Sequence, residues 1–215
     1  MVVGQERHAG SKFIMKTDKC KICRRVGIKL FLKGERCFTS KCAMVKRPYP
    51  PGEKTKKRTS AFSEYSKELR EKQKLKNWYN LSEEQFKKYV KEALKKRGTL
   101  EDAGTFLIKR LESRFDNIVF RLGLATSHNQ ARQMISHRSF LVNGKIINMP
   151  SCHLKKGDKI TFRSSSAKLN LKKHELPSWL GLDLEKLTAE IKEEPMVDLS
   201  TLPAEISVIF EYYSR

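Results

Sequence analysis

The chain has 215 residues and a formal net charge of +21, from 45 lysines and arginines against 24 aspartates and glutamates. Repulsion among these charges opposes a compact fold unless a polyanion is near. The net positive charge also excludes a typical acidic cytosolic enzyme. No long apolar run or secretory-signal pattern occurs, and five cysteines are too few for a disulfide scaffold at this length. The composition predicts a cytoplasmic, nucleic-acid-binding protein with no membrane partner.

The positive charge is unevenly distributed along the chain. Residues 1–175 carry a net +26, whereas residues 176–215 carry −5. We expect the first part to face a polyanion. The acidic end is expected to face solvent, the core of the chain itself or a basic protein neighbour.

Four cysteines near the amino terminus form two close pairs, Cys20 with Cys23 and Cys37 with Cys42. Two such pairs can surround a tetrahedral zinc ion, and the neighbouring lysines and arginines favour the thiolate form. The spacing predicts a knuckle closed by one structural zinc ion. An iron–sulfur cluster also accepts four thiolates and stays an alternative. Cys152 stands apart and is predicted to be a small buried residue.

Residues 46–58 combine prolines with a high density of lysine and arginine. Proline disfavours a helix, and the charge prevents the segment from packing on itself. The segment is therefore predicted to be an extended basic arm that binds nucleic acid, with a plain linker as the alternative. Its candidate contacts are Lys54, Lys56, Lys57 and Arg58.

Apolar periodicity predicts three successive helices after the arm. The first covers residues 61–80, the second begins after its cap Ser82 and ends at Gly98, and the third covers roughly residues 105–122. Basic side chains recur on one face of the first helix, and we expect them to contact phosphates. They are Lys67, Arg70 and Lys74.

A small α+β module is predicted to include the third helix and to continue through residue 162. Ser127 caps a further helix, and Asn143-Gly144 between apolar runs indicates a hairpin, since both turn residues adopt positive φ. A strand is predicted over residues 159–162. Beyond the module, the pattern predicts a short helix over 183–192 and a terminal strand over 206–212.

The sequence contains no signature of catalysis. It has no phosphate-binding glycine loop, no Gly-x-Ser-x-Gly and no His-Glu-x-x-His motif. The chain is therefore predicted not to be an enzyme. Two competing hypotheses are an RNA-modifying enzyme, which would need a catalytic domain, and a zinc-dependent regulator, which would bind duplex DNA sequence-specifically.

Several stretches resemble the S-four RNA-binding domain. They are RFDNIVFRLG at residues 114–123, ARQMISH at 131–137 and VNGK at 142–145. The stretch LREKQK at residues 69–74 and the cysteine knuckle are similar to the bacterial-type family of ribosomal protein S four (uS four). The isolated domain also occurs in pseudouridine synthases and tyrosyl-tRNA synthetases. The flanking segments extend the likeness over roughly residues 15–215, and they favour the ribosomal family among those that contain the domain.

The resemblance implies an α+β fold with a zinc-knuckle amino terminus, a split helical domain and an inserted S-four module. The knuckle and arm are expected in residues 1–60. The first part of the helical domain is expected in 61–104, the module in 105–170, and a return segment that completes the helical domain in 171–215.

The resemblance also implies a structural constituent of the small ribosomal subunit. Such proteins are primary binders of small-subunit rRNA at a junction in the 5′ domain, where they nucleate assembly. They lie near the channel that messenger RNA enters, touch ribosomal protein S five and other small-subunit proteins, and contribute to decoding accuracy. The remaining candidate RNA contacts, among which Arg132 and His137 are the first choices, are Arg24, Arg25, Arg114, Arg121, His128, Arg132, His137 and Lys145.

Overall fold

The computed structural model describes residues 18–52, 63–96, 102–163, 176–183, 187–196 and 202–214. No helix in these ranges is long and apolar enough to cross a membrane. The helices are α1 (Lys19–Val26), α2 (Ala43–Lys46), α3 (Glu64–Trp78), α4 (Glu83–Lys95), α5 (Ala103–Glu112), α6 (Phe115–Arg121), α7 (His128–Ser136) and α8 (Ile206–Ser214). The strands are β1 (Phe140–Val142), β2 (Lys145–Ile146), β3 (Lys159–Phe162), β4 (Leu180–Asp183) and β5 (Thr188–Ile191).

Helices α3, α4, α5 and α8 share one hydrophobic core, which we call the helical core. Its fully buried members include Leu75, Phe86, Leu107 and Ile209. The predicted cap of α4 is confirmed, because the Ser82 hydroxyl accepts a hydrogen bond from the Gln85 amide at 3.3 Å. Helices far apart in the chain, from α3 to α8, therefore build this core.

Helices α6 and α7 pack on a five-stranded antiparallel sheet of order β2-β1-β3-β5-β4, which we call the module. The predicted hairpin is confirmed, with Asn143 at φ 49° and Gly144 at φ 78° between β1 and β2. The Asn143 side chain also accepts from the Lys159 amide at 2.9 Å, which ties the turn to β3. Phe140 and Ile160 are fully buried beneath the helices.

The helix predicted over residues 105–122 is wrong in one respect, because it is two helices. Arg114 lies between α5 and α6 with an extended backbone, at φ −69° and ψ 139°. The backbone there pairs with a distant segment: the Phe115 amide donates to the Cys152 carbonyl at 2.8 Å, and the Leu154 amide donates to the Ser113 carbonyl at 2.9 Å. These hydrogen bonds replace those of a continuous helix.

Two elements near the carboxyl end also differ from prediction. The segment predicted as a helix over 183–192 contains the end of β4 and all of β5, which pair with each other. The predicted terminal strand is instead α8, because the apolar residues Ile206, Ile209, Phe210 and Tyr213 recur at helical spacing and pack against the helical core.

The packing moves the predicted boundaries of the module. Helix α5 belongs to the helical core, so the module begins at α6 rather than at residue 105. Strands β4 and β5 belong to the module sheet, which extends the module beyond residue 170. Of the predicted return segment 171–215, the residues in 202–214 complete the helical core.

We use the name knuckle for the described part of the amino-terminal segment, residues 18–52. Helix α1 begins after Asp18, which accepts from the Cys20 amide at 3.1 Å, and ends at Gly27 with φ 87°. A small cluster of Cys23, Leu30 and Leu32 packs beside Trp78 of α3. This core is too small to fix the segment alone, so contacts with the rest of the chain position it.

Candidate nucleic-acid interface

The part of the module surface formed by residues 113–163 is strongly basic. Between residues 113 and 163 the two carboxylates, of Asp116 and Asp158, lie on residues that are buried and half-buried. Six lysines and arginines in the same range are exposed, namely Arg138, Lys145, Lys155, Lys156, Lys159 and Arg163. A surface of this kind attracts phosphate groups, although the exposed Glu190 of β5 lies beside Lys159 in the same sheet.

One end of the sheet gathers basic residues from two elements. His137 and Arg138 follow α7 and are exposed, and Arg163 follows β3. The Arg163 amide donates to the Ser139 carbonyl at 3.0 Å, which brings the two segments together. Sequence reasoning missed Arg138 and Arg163, although both directly follow predicted elements and so had a signal in the sequence.

The hairpin supplies a separate point on the same module. Lys145 begins β2, the edge strand of the sheet, and is exposed as its candidate role requires. Its register partner Val142 is buried, which fixes the turn on the module core. Lys145 and His137 thus stay available for RNA at two separate elements of the module.

Arg114 was predicted to contact RNA, but it is fully buried. Its Nε and Nη2 atoms donate to Asp116 at 3.0 and 2.7 Å, and Nη1 donates to the Tyr89 hydroxyl at 2.8 Å. These partners raise the pKa of Arg114, although burial alone would lower it. The prediction is wrong because the guanidinium joins α4 to α6 inside the protein.

Arg121, the last residue of α6, also has a structural role. It donates to both oxygens of Glu112, from Nη2 at 2.7 Å and from Nε at 3.1 Å, and its guanidinium lies 5.3 Å from the Trp78 ring centroid. The Tyr79 hydroxyl donates to the same buried carboxylate at 2.7 Å. Arg121 therefore joins the module to the helical core, which corrects its predicted RNA contact.

His128 is buried and does not face RNA. Its Nε2 lies 3.1 Å from the Asn117 amide oxygen, and its ring stacks on Phe120 with a centroid distance of 4.1 Å. Burial, followed by the positive charges of Arg121, Arg114 and Arg132, lowers the pKa of His128 to about 3. The imidazole is neutral at pH 7, and the predicted RNA contact of His128 is wrong because the ring packs inside the protein.

Arg132, a first choice for RNA contact, donates instead to the Asn80 carbonyl at 2.6 Å, and its Nε lies 3.9 Å from Asp116. The Asn80 side chain accepts from Lys19 at 2.7 Å. This chain of contacts joins the knuckle, the α3–α4 turn and the module. With 30% of its side chain exposed, Arg132 contributes charge at the surface, but its shortest hydrogen bond lies within the protein.

The three residues of the predicted basic face of α3 lie in different surroundings. Lys67 is exposed, whereas Lys74 forms an ion pair with Glu71. Arg70 lines a groove of about 600 Å³ between α1 and α3, which Arg25 and Lys76 also line. Lys76, which sequence reasoning did not select, lines the same groove and also forms an ion pair with Glu83 at 3.0 Å.

Arg24 orders the start of the basic arm. It donates to the Tyr49 carbonyl at 2.9 Å, and its guanidinium lies 4.9 Å from the Tyr49 ring centroid. The two contacts hold the proline-containing segment against α1. The other arm candidates, Lys54, Lys56, Lys57 and Arg58, lie outside the described residues.

The four knuckle cysteines line one cavity of about 20 Å³. Cys23, Cys37 and Cys42 are buried and Cys20 is half-buried. Burial raises the pKa of Cys23, and the other three sulfurs raise it further. Among the described residues, no three or more His, Cys, Asp or Glu side chains stand in an arrangement that could hold a metal ion. The donor types and shared cavity fit a four-thiolate site, whereas the present side-chain arrangement is not a closed one.

The comparisons with known proteins agree over nearly the whole chain. Residues 15–111 match the model of the ribosomal protein S4/S9 N-terminal domain, and residues 113–160 match the S4 domain. A small ribosomal subunit protein uS4A of Bdellovibrio bacteriovorus is 45% identical, covering 91% of this chain and 96% of its own. Small ribosomal subunit protein uS4 of Thermus thermophilus is 42% identical over the same shares, and that of Syntrophus aciditrophicus is 42% identical over 93% and 98%. The chain belongs to the uS4 family of small ribosomal subunit proteins.

Membership of the uS4 family confirms the likeness seen in the sequence, the predicted place in the small ribosomal subunit and the prediction that the chain is not an enzyme. The two matched regions meet between residues 111 and 113. The first part of the helical core likewise ends at Leu111, before α8 completes it, and the module core begins at Phe115. The uS4 chain therefore changes domain within the short extended link that carries Arg114.

Proposed function

We propose that this chain binds small-subunit rRNA at a junction in the 5′ domain and nucleates assembly of the subunit. The observation that carries the proposal is the module surface of residues 113–163, with six exposed lysines and arginines and no exposed carboxylate. Cations neutralise phosphates and release counterions, and A-form RNA is recognised mainly by shape and phosphate geometry. A rigid surface whose exposed charges are mostly positive suits that mode of recognition.

The buried ion pairs support binding at several separated points. The Arg121–Glu112 pair and the Arg114–Tyr89 hydrogen bond join the module to helices of the helical core. Arg132 and Lys19, both bound to Asn80, join these bodies to the knuckle. These contacts fix the knuckle, the helical core and the module relative to one another. One folded RNA can therefore bind both the groove between α1 and α3 and the module surface. Preorganisation of this kind lowers the entropic cost of binding.

The acidic carboxyl-terminal part supports protein partners rather than RNA. Asp102, Glu205 and Glu211 line a groove of about 520 Å³ at the start of α5 and along α8. This groove repels phosphate and suits a basic protein surface. We propose ribosomal protein S five and other small-subunit proteins as partners here, and messenger RNA near its channel as the partner of the basic arm, with an effect on decoding accuracy.

We propose one structural zinc ion as the cofactor, with a four-thiolate iron–sulfur cluster as the alternative. Cys20, Cys23, Cys37 and Cys42 would hold it. A bound ion would crosslink α1, the turn before Phe38 and the start of α2. The support is that four thiols from three separate stretches line one cavity in a segment with a very small hydrophobic core.

A competition assay tests the rRNA proposal. Full-length protein is bound to labelled small-subunit 5′-domain RNA and competed with unlabelled RNA or with duplex DNA of equal length. We expect the RNA to compete at much lower concentration, because the module surface fits a folded junction. Equal competition by duplex DNA contradicts the proposal and favours a DNA-binding regulator. RNA modified after incubation would instead indicate an enzyme.

A further inference from the structure

The knuckle carries two phenylalanines on its outside. Phe38 is 74% exposed and Phe31 is 40% exposed. Their rings stack on each other, with centroids 4.9 Å apart and planes inclined by 29°. Leaving an aromatic side chain in water forgoes about 2 kcal/mol of burial free energy, so an exposed stacked pair calls for a partner.

The pair is exposed although an apolar cluster lies within one residue of it. Leu30 and Leu32 on either side of Phe31 are buried in the knuckle cluster. Phe31 has φ 52°, a backbone conformation that is unfavourable for a bulky side chain. The backbone is thus held in a strained conformation with the Phe31 ring outside the cluster, against Phe38.

The segment that presents the two rings is firmly held. The Gly34 amide donates to the Phe31 carbonyl at 3.3 Å, and the Phe38 amide donates to the Glu35 carbonyl at 3.0 Å. A 3-10 turn over Gly34–Cys37 joins them. The turn packs so closely against the module that a Cβ on Gly34 would lie 2.7 Å from the Thr126 carbonyl oxygen. The aromatic pair is therefore preorganised.

The charges around the pair identify the class of partner. Lys29, Lys33, Arg36 and Lys41 lie within three residues of one or the other ring along the chain, and all are exposed. Lys33 also lies 3.5 Å from the Asp18 carboxylate. Glu35 is the single acidic residue among positions 29–41. An apolar platform within a cationic setting suits an unpaired nucleobase with its flanking phosphates, because every base has a face that stacks.

We propose that Phe31 and Phe38 form a stacking platform for an unpaired base of the bound RNA. The inference rests on the proposed rRNA binding and adds a base contact to its phosphate contacts. Phe38, with the more exposed ring, would receive the base, while Phe31 supports it from below. The flanking cations would hold the phosphates on either side of that nucleotide.

Affinity for 5′-domain RNA is the first test, with Phe38→Ala and Phe38→Tyr as a matched pair. Loss of the ring is expected to weaken binding about 5- to 150-fold, the range for one stacked base. The salt dependence should stay unchanged, since no charge is removed. Phe38→Tyr should bind as the original chain does. Equal affinity of Phe38→Ala, or a changed salt slope, overturns the platform.

A fluorescent reporter tests stacking directly and independently of the rRNA site. Phe38→Trp places an indole at the platform, while Trp179 is buried and Trp78 is half-buried. Titration with a single-stranded 12-nucleotide RNA should quench the new fluorescence beyond the change seen in the original chain. Absence of extra quenching overturns the inference. If 5′-domain RNA fails to bind the original chain while the oligonucleotide still quenches, the proposed rRNA function fails and the platform stands.

A protein partner would give a different pattern. In that case Phe38→Ala would bind naked RNA normally, and the loss would be seen only in subunits assembled with the other small-subunit proteins. That result also overturns the stacking platform. The thermal unfolding midpoint of Phe38→Ala should match the original, because the ring makes little contact with the core.

Discussion

The Arg121 guanidinium is bound to both oxygens of the fully buried Glu112 carboxylate, at 2.7 and 3.1 Å. Glu112 ends α5, the last helix of the helical core before the module, and Arg121 ends α6, the first helix of the module. Tyr79 and Asn117 donate to the same carboxylate. A positive residue that suggested RNA contact in the sequence thus stabilises the boundary between two domains.

Replacement of Arg121 by methionine should lower the free energy of unfolding by about 3 kcal/mol, since it leaves the buried Glu112 carboxylate without its cation. Urea denaturation provides the measurement. RNA affinity per folded molecule should change little. Lys156→Met removes an exposed charge from the same module and should change stability by less than about 0.5 kcal/mol. Similar losses in both variants would show that the pair is not structural.

His128 makes stability depend on pH. Its pKa is lowered from 6.5 to about 3 in the folded protein, so the unfolded chain binds one more proton between these pH values. The contribution of His128 to the free energy of unfolding is fully present above pH 6.5. It falls as the pH drops, by about 2 kcal/mol at pH 5. His128→Gln should remove that part of the difference between pH 8 and pH 5. His137→Gln, at an exposed site, should leave the difference intact.

Gly34 should not tolerate a side chain. A Cβ there meets Thr126, and φ 57° is strained for alanine. We expect Gly34→Ala to cost about 2 to 4 kcal/mol and to increase proteolysis of the knuckle. Gly27 has φ 87°, and no atom lies within 4 Å of the position that a Cβ would take. Gly27→Ala therefore measures the cost of backbone strain alone, about 1 to 2 kcal/mol. Equal costs for the two variants would exclude a close contact between knuckle and module.

Arg138 and Arg163 should each contribute one phosphate contact. For either residue, alanine is expected to reduce the slope of log affinity for 5′-domain RNA against log salt concentration by about one. Filter binding over a series of KCl concentrations measures the slope. Lys192→Ala removes an exposed lysine of the acidic carboxyl-terminal part and should leave the slope unchanged. If all three variants give the same slope, the contact lies elsewhere on the module.

The knuckle should carry about one equivalent of metal in protein purified without oxidation. Elemental analysis distinguishes zinc from iron, and visible absorption would accompany an iron–sulfur cluster. Cys37→Ser should lose the metal and destabilise residues 18–52, because thiolate binding contributes to folding. Cys152→Ser is the matched control and should keep it. Metal-free protein with a folded knuckle would contradict the proposed site.

Local signals in the sequence were sufficient where a short motif fixes the backbone. Ser82 and Ser127 cap their helices as predicted, and Asn143-Gly144 forms the hairpin turn. The prediction of a strand over 206–212 was wrong because partial alternation was given more weight than the helical spacing of Ile206, Ile209 and Phe210. Helix α8 forms because that segment meets an apolar surface supplied by α3 and α4.

The roles of the arginines could not be read in the same way. Arg114, Arg121 and Arg138 look alike in the sequence, since each is a cation within or directly after a predicted helix. Only the fold supplies Tyr89 to Arg114 and Glu112 to Arg121, whereas Arg138 lies exposed. Whether a charge is buried depends on which distant groups compensate its desolvation.

The sequence by itself determined the basic character, the paired cysteines, the main helices, the hairpin and the family likeness. Composition and short motifs act within a few residues and need no knowledge of distant contacts. The tertiary structure alone decided the break at Arg114, the place of β4 and β5 in the module sheet, and which cations face outward. Those features depend on contacts between residues far apart in the chain, such as the pairing of Arg114 with His153.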